Sequence, residues 1–164
     1  LSPAAIAGVR PDQYIFDIKK DSGGDIWSGG YYHLKRINLE TKSVRLYPGV
    51  NSITTIQEKD SRQMWIGTRM GLYLLDKQSG VYRYIDLPVE SLYICALYQR
   101  EDGILYIGTR GAGLLVYDIN KKNFIYQYRS DNCALISDNI LYNSSASGRE
   151  SPDGYGKWYY DLFT

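Results

Sequence analysis

Apolar and polar residues alternate in three separated stretches of this chain: Val44 and Leu46, Tyr82 and Tyr84, and Phe124, Tyr126 and Tyr128. Alternation with a period of two predicts strands with one face buried and one face wet. No long amphipathic helical stretch stands out. Each alternating stretch closes a longer unit whose other positions also recur. Ile15, Ile53 and Ile94 stand twelve residues before Trp27, Trp65 and Tyr106, and Ile18, Ile56 and Leu97 follow those isoleucines by three. After the aromatic, Gly29, Gly67 and Gly108 hold one register, followed by Leu34, Leu72 and Leu114. Asn38, Asp76 and Asp118 then open a polar turn. The pattern predicts equivalent inner strands over 12–18, 51–58 and 92–99, with the aromatic on the strand that follows. Chance does not keep five positions in register three times.

The aromatic recurs in steps of 38 and 41 residues. A repeat of about 40 residues made of short antiparallel strands is the signature of a propeller blade. Acidic, turn-forming clusters precede each aromatic strand: Asp21 to Gly24, Asp60 to Arg62, and Glu101 to Gly103. Asp102-Gly103 predicts a tight type I′ hairpin, whose two central residues need positive φ. The fold expected is all-β, a propeller fragment of three to four four-stranded blades in an open arc of a larger ring. Its units are a lead-in over 1–11, blades over 12–50, 51–88 and 89–136, and an incomplete fourth blade or tail over 137–164. An open arc leaves raw sheet edges, so two copies pairing edge to edge, or further blades of a parent chain, are the expected partners.

Composition agrees with this picture and narrows the function classes. Tyrosine (17 residues) and glycine (16 residues) are abundant, as half-buried strands and tight turns require. A net charge of +1 with scattered Lys and Arg gives no electrostatic footprint for nucleic acid or a membrane surface. No stretch of 18 apolar residues is present to span a bilayer. The start, Leu1-Ser2-Pro3, has no initiator Met and no basic n-region, and reads as an excised piece of a longer protein.

The run Asp60 through Met64-Trp65-Ile66-Gly67-Thr68-Arg69-Met70-Gly71-Leu72-Tyr73 resembles the two-component regulator propeller repeat. Tyr106-Ile107-Gly108-Thr109-Arg110-Gly111-Ala112-Gly113-Leu114 is similar, with one extra residue and Tyr for Trp. The first unit departs more, with Gly30 in place of Thr and His33 in place of Gly71. The resemblance covers roughly residues 12–142. It implies a sensor region of a bacterial hybrid two-component protein of the gut Bacteroidetes kind. Such a region is periplasmic, detects glycans or their breakdown products, and relays to a cytoplasmic histidine kinase outside this chain.

Catalytic chemistry is thinly represented, and no cofactor or metal site is expected. His33 is the sole histidine, so no His-rich metal site can form. Cys95 and Cys133 read as free thiols, Cys95 in a buried strand and Cys133 in a loop. Asp21, Asp60 and Asp102 fall in equivalent turns of separate blades, where turn formation explains them and a facing carboxylate pair does not. Asn143-Ser144-Ser145 fits a glycosylation sequon without consequence in a bacterial protein. The motif residues themselves read as structural: the aromatics fill seams between blades, the glycines allow close approach, and Thr68 and Thr109 pin turns.

Binding chemistry is expected where the repeat breaks. Tyr31, Tyr32 and His33 occupy a loop where the other units have Thr-Arg-Met-Gly or Thr-Arg-Gly-Ala-Gly, and Arg69 and Arg110 recur after Thr on one side of the fold. Tyrosines stack on sugar rings and arginines take uronate or sulfate bidentately, so these five are the candidate oligosaccharide contacts. Trp158, Tyr159 and Tyr160 are a second aromatic cluster, read first as an anchor of the last strand. The reading against a sensor is a structural or protein-interaction propeller, and behind it a polysaccharide hydrolase or lyase.

Overall fold

The computed structural model describes residues 14–134 and 136–141. The lead-in over 1–11, the sequon at Asn143, the Trp158 cluster and the remainder of a fourth blade lie outside the described residues. Twelve strands form three four-stranded antiparallel sheets, each a simple meander in chain order. The first blade holds β1 (Ile15–Lys20), β2 (Ile26–Gly30), β3 (Leu34–Asn38) and β4 (Ser43–Tyr47). The second holds β5 (Ile53–Glu58), β6 (Gln63–Thr68), β7 (Gly71–Asp76) and β8 (Tyr82–Ile85). The third holds β9 (Ile94–Gln99), β10 (Ile104–Thr109), β11 (Leu114–Asp118) and β12 (Asn123–Tyr128). The three inner strands and the three aromatic strands therefore fall where the repeat predicts. The described residues contain no helix, hence none long and apolar enough to cross a membrane.

Turn chemistry explains why the meander closes where it does. Asn38, Asp76 and Asp118 each end a third strand and turn their side-chain oxygen onto an amide three residues later, at Thr41, Ser79 and Lys121. This Asx geometry reverses the chain into the outer strand. The Asp102-Gly103 hairpin differs from the type I′ expectation. Gly103 alone has positive φ, its amide bonds the Arg100 carbonyl, and the Arg100 amide bonds the Ile104 carbonyl. That is a longer loop with a left-handed glycine, and Gly24 repeats it in the first blade.

The blades meet through two apolar cores, one at each seam. Trp27 lies in the first with Tyr47, Ile53, Ile56, Met64 and Ile66, and Trp65 lies in the second with Ile94, Leu97 and Tyr117. Each seam is closed by a glycine of one blade against the inner-strand isoleucine of the next. Gly29 meets Ile53 in this way, and a Cβ on Gly67 would stand 2.8 Å from the Ile94 Cγ2. Gly108 does the same with Ile140, a Cβ there falling 2.7 Å from its Cγ2. Ile140 is thus placed as the inner-strand residue of a fourth blade, and Arg110 bridges to Asn139 beside it.

Two expectations about burial are corrected. The outer strands do not alternate buried and wet as read: Val44, Tyr84, Tyr126 and Tyr128 are exposed, while Tyr47 and Ile85, each at the end of its strand, carry the burial. The outer strand is a sheet edge, and only its end reaches the seam. Tyr106 is half-buried, unlike Trp27 and Trp65, because its seam faces a fourth blade of which the described residues hold only the start.

Candidate functional site

The innermost strands line an open cleft of about 370 Å³ along the axis of the arc. Its wall is built by one device used three times. Each inner strand slips its register directly after the repeated isoleucine, leaving Phe16, Thr54 and Cys95 outside the ladder as bulge residues. A bulge re-aims the side chain it carries. Here all three side chains line the cleft, joined by Leu141, which follows Ile140 as they follow their isoleucines. Cys95 is a free thiol, half-buried and not fully buried as read from the sequence, and Cys133 is free as well. Burial pushes the Cys95 thiol up, against a weaker pull down from Arg110, so it stays protonated.

At one end of this cleft the β2–β3, β6–β7 and β10–β11 loops bring together three of the five sequence candidates. Tyr31, Arg69 and Arg110 occupy the same place in their repeats, directly after the second strand. Thr68 and Thr109 fix the loops: each hydroxyl donates to a glycine carbonyl, Gly71 and Gly113, and accepts a loop amide, from Met70 and Ala112. The loop backbones are tied across to the neighbouring inner strand as well. The Arg69 amide donates to the Ser52 carbonyl and the Arg110 amide to the Tyr93 carbonyl.

The Arg69 guanidinium sits among three rings from two other blades. Its carbon is 5.7 Å from the Phe16 centroid, 5.3 Å from Tyr31 and 5.6 Å from Tyr93. One of its amino groups donates to the Tyr31 hydroxyl at 3.3 Å, and its Nε is buried without a partner among the described residues. The Arg110 guanidinium lies 5.7 Å from the same Tyr93 ring. Tyr31 packs on Phe16 and Tyr32, and Tyr32 on His33, so the remaining two candidates extend the aromatic run away from the arginines. Of the five candidates Arg110 alone lines the cleft; Tyr31 and Arg69 join it through their ring contacts with the lining residues Phe16 and Tyr93, and His33 does not reach it.

Phe16 and Tyr93 escaped the sequence reading. The rule that singled out Tyr31 finds Phe16, which follows a repeated isoleucine where the other blades have Thr54 and Cys95, but not Tyr93, whose counterparts are Tyr14 and Ser52. The cleft holds one carboxylate, Asp17, and it is engaged with the Ile56 amide at 2.7 Å. Aromatic faces, two guanidiniums and no facing pair of acids suit recognition better than hydrolysis. Among the described residues no group of three His, Cys, Asp or Glu is placed to hold a metal.

Known folds agree with this architecture. No protein-family model and no curated protein matches the sequence. Among solved structures, the extracellular domain of a one-component system from B. thetaiotaomicron superposes with a TM-score of 0.64 at 21% identity, over 77% of this chain and 20% of that one. The extracellular domain of a hybrid two-component system from the same organism gives 0.61 at 19% identity, over 75% of this chain and 17% of that one. A virginiamycin B lyase from Staphylococcus aureus gives 0.62 at 17% identity, over 75% and 44% of the two chains. The chain thus spans a small part of the sensor domains it matches. At these identities the likeness establishes one thing: the chain is a β-propeller segment with the blade geometry of those proteins.

Proposed function

We propose that this chain is part of an extracytoplasmic sensor propeller: a segment whose axial mouth takes an oligosaccharide and whose parent chain relays that binding to a histidine kinase.

 The segment is one arc of a larger ring and lies outside the cytoplasm. The observation that carries this reading is the convergence of Tyr31, Arg69 and Arg110, three repeat-equivalent residues, with Phe16 and Tyr93 at the mouth of one cleft. Phe16 and Tyr31 differ from their repeat counterparts and Arg69 and Arg110 recur without joining the apolar seams, and here all four gather at one place. Aromatic faces bind the apolar face of a sugar ring, and guanidiniums supply forked donors to its oxygens. The likeness to extracellular domains of sensor systems supports the same reading.

Calorimetric titration of the whole sensor region with glycan fragments tests it. Arg69→Ala and Arg110→Ala are each expected to weaken binding about tenfold, the worth of a charge-assisted hydrogen bond. Tight binding that both substitutions leave unchanged would remove the site from this mouth. The isolated chain is expected to bind the same glycans weakly, because a propeller mouth draws its contacts from blades all around the ring.

A further inference from the structure

We infer, resting on the sensor reading above, that Arg69 and Arg110 seat an anionic group of the ligand, the carboxylate of a uronic acid or the sulfate ester of a sugar. Four other arginines of the chain hold an aspartate: Arg36 with Asp25, Arg62 with Asp76, Arg100 with Asp102, and Arg129 with Asp138. Arg69 and Arg110 have no carboxylate partner among the described residues, nor do Arg45 and Arg83, but the first two alone stand together beside one ring, Tyr93. The acids nearest them are engaged elsewhere. Asp17 accepts the Ile56 amide, and Asp138 accepts the amide and hydroxyl of Ser130.

Two like charges beside one ring, one of them with a buried and unsatisfied Nε, are costly to keep unpaired. Tyr93, Tyr31 and Phe16 offset part of that through their ring faces. A carboxylate or sulfate offsets more, because its oxygens accept charge-assisted hydrogen bonds from a guanidinium that a neutral ring face cannot accept. The loops that carry the two arginines are held by Thr68, Thr109 and the backbone bonds to Ser52 and Tyr93, so the pair is positioned before any ligand arrives. A neutral sugar satisfies neither charge.

Every group named in this subsite belongs to the three described blades, so the chain itself is the test object. The probes are sodium glucuronate, a glucose sulfate ester, sodium sulfate and glucose, each added at matched ionic strength. The readout is the Nε–Hε resonances of Arg69 and Arg110, with Arg36 as an internal reference and the backbone spectrum as a check of folding. Glucuronate or the sulfate ester is expected to shift both resonances saturably and leave Arg36 in place, while glucose shifts neither. Arg110→Gln is expected to weaken that response at Arg69 about tenfold. An unsaturable drift with both sugar anions, or an equal shift with glucose, overturns the anionic seat. Inorganic sulfate binding as tightly as the sulfated sugar overturns the assignment to a sugar-borne group. Neutral glycans bound by the whole sensor region, with the arginines indifferent to anions, would leave the sensor reading standing without this one. Anion binding here with no glycan bound by the sensor region would do the reverse.

Discussion

Gly67 and Ile94 share a space that only one side chain can fill: a Cβ on the glycine would stand 2.8 Å from the isoleucine Cγ2. The constraint is steric, since Gly67 is not among the glycines with positive φ. Ile94 is fully buried and the Thr55 methyl crowds the same point from within the blade, so neither can yield. Gly67→Ala is expected to cost about 1–3 kcal/mol, the range for overpacking a filled core. Gly108→Ala is expected to cost less, because Ile140 is half-buried and can move aside. Urea denaturation of both variants checks the order, and equal losses would contradict it.

Lys77 is the least expected side chain in the first seam. It is 4% exposed, and its ammonium reaches Asp21 at 3.2 Å and Glu58 at 2.5 Å, joining the first and second blades. Lys77→Met leaves Asp21 buried without its cation and is expected to cost about 3 kcal/mol, the lower end for breaking a buried pair. The loss is at that end because Asp21 keeps bonds from the Trp27 indole and the Asp25 amide. Thermal unfolding reads it, and Lys77→Met with Asp21→Asn is expected to recover part of the loss.

Acid should loosen the same seam. Burial works to raise the Asp21 carboxyl, but hydrogen bonds from Trp27, Lys77 and the Asp25 amide, with the Lys77 charge, hold it below its ordinary 3.8. A lowered folded value means the contribution is complete above the unfolded value and fades as pH falls through the folded one. Stability is therefore expected to drop below about pH 4, and Asp21→Asn to flatten that drop. A pH profile of the denaturation midpoint, unchanged by Asp21→Asn, would place the acid lability elsewhere.

The Thr109 hydroxyl both donates to Gly113 and accepts from Ala112 while fully buried. Thr109→Val keeps the shape and strands the Ala112 amide, while the Gly113 carbonyl keeps the Thr109 amide, at an expected cost of about 1–3 kcal/mol. Amide exchange of residues 110–113 should quicken more than that of β9. If the loop exchanges as slowly as before, the hydroxyl does not hold it.

The isolated chain is expected to self-associate through β1. Ile15 and Ile18 are exposed where their repeat mates Ile53, Ile56, Ile94 and Leu97 are buried under a preceding blade. Sedimentation velocity should show a concentration-dependent dimer that Ile15→Asp with Ile18→Asp abolishes. A monomer at every concentration would rule out that contact.

The repeat made the scaffold legible because a side chain that returns at one position three times is held there by packing. Trp27 and Trp65, the three seam glycines and Thr68 with Thr109 all have the structural roles their recurrence implied. The site was legible only in part. Tyr31, Arg69 and Arg110 stood out as departures or repeats after the second strand, yet their meeting point depends on how one blade is rotated against the next. That rotation is set by seam packing across sequence separations of about 40 residues, and no local pattern encodes it. Lys77 was invisible for a related reason. It follows a turn-forming Asp, where lysines are ordinarily solvated, and only the approach of Asp21 from another blade buries it.

The two seams differ in what they ask of a transplanted blade. The glycine and isoleucine that close each one recur, so by shape alone one unit fits behind another. The charged bond between Lys77 and Asp21 has no such generality: at the third blade Ile119 stands in the place of Lys77, and behind the first blade it would leave Asp21 without its cation. At the second seam the neutral Gln99 does the joining, accepting from the Trp65 indole and donating to the Lys59 carbonyl. A graft of the third unit behind the first is thus matched in shape and mismatched in charge.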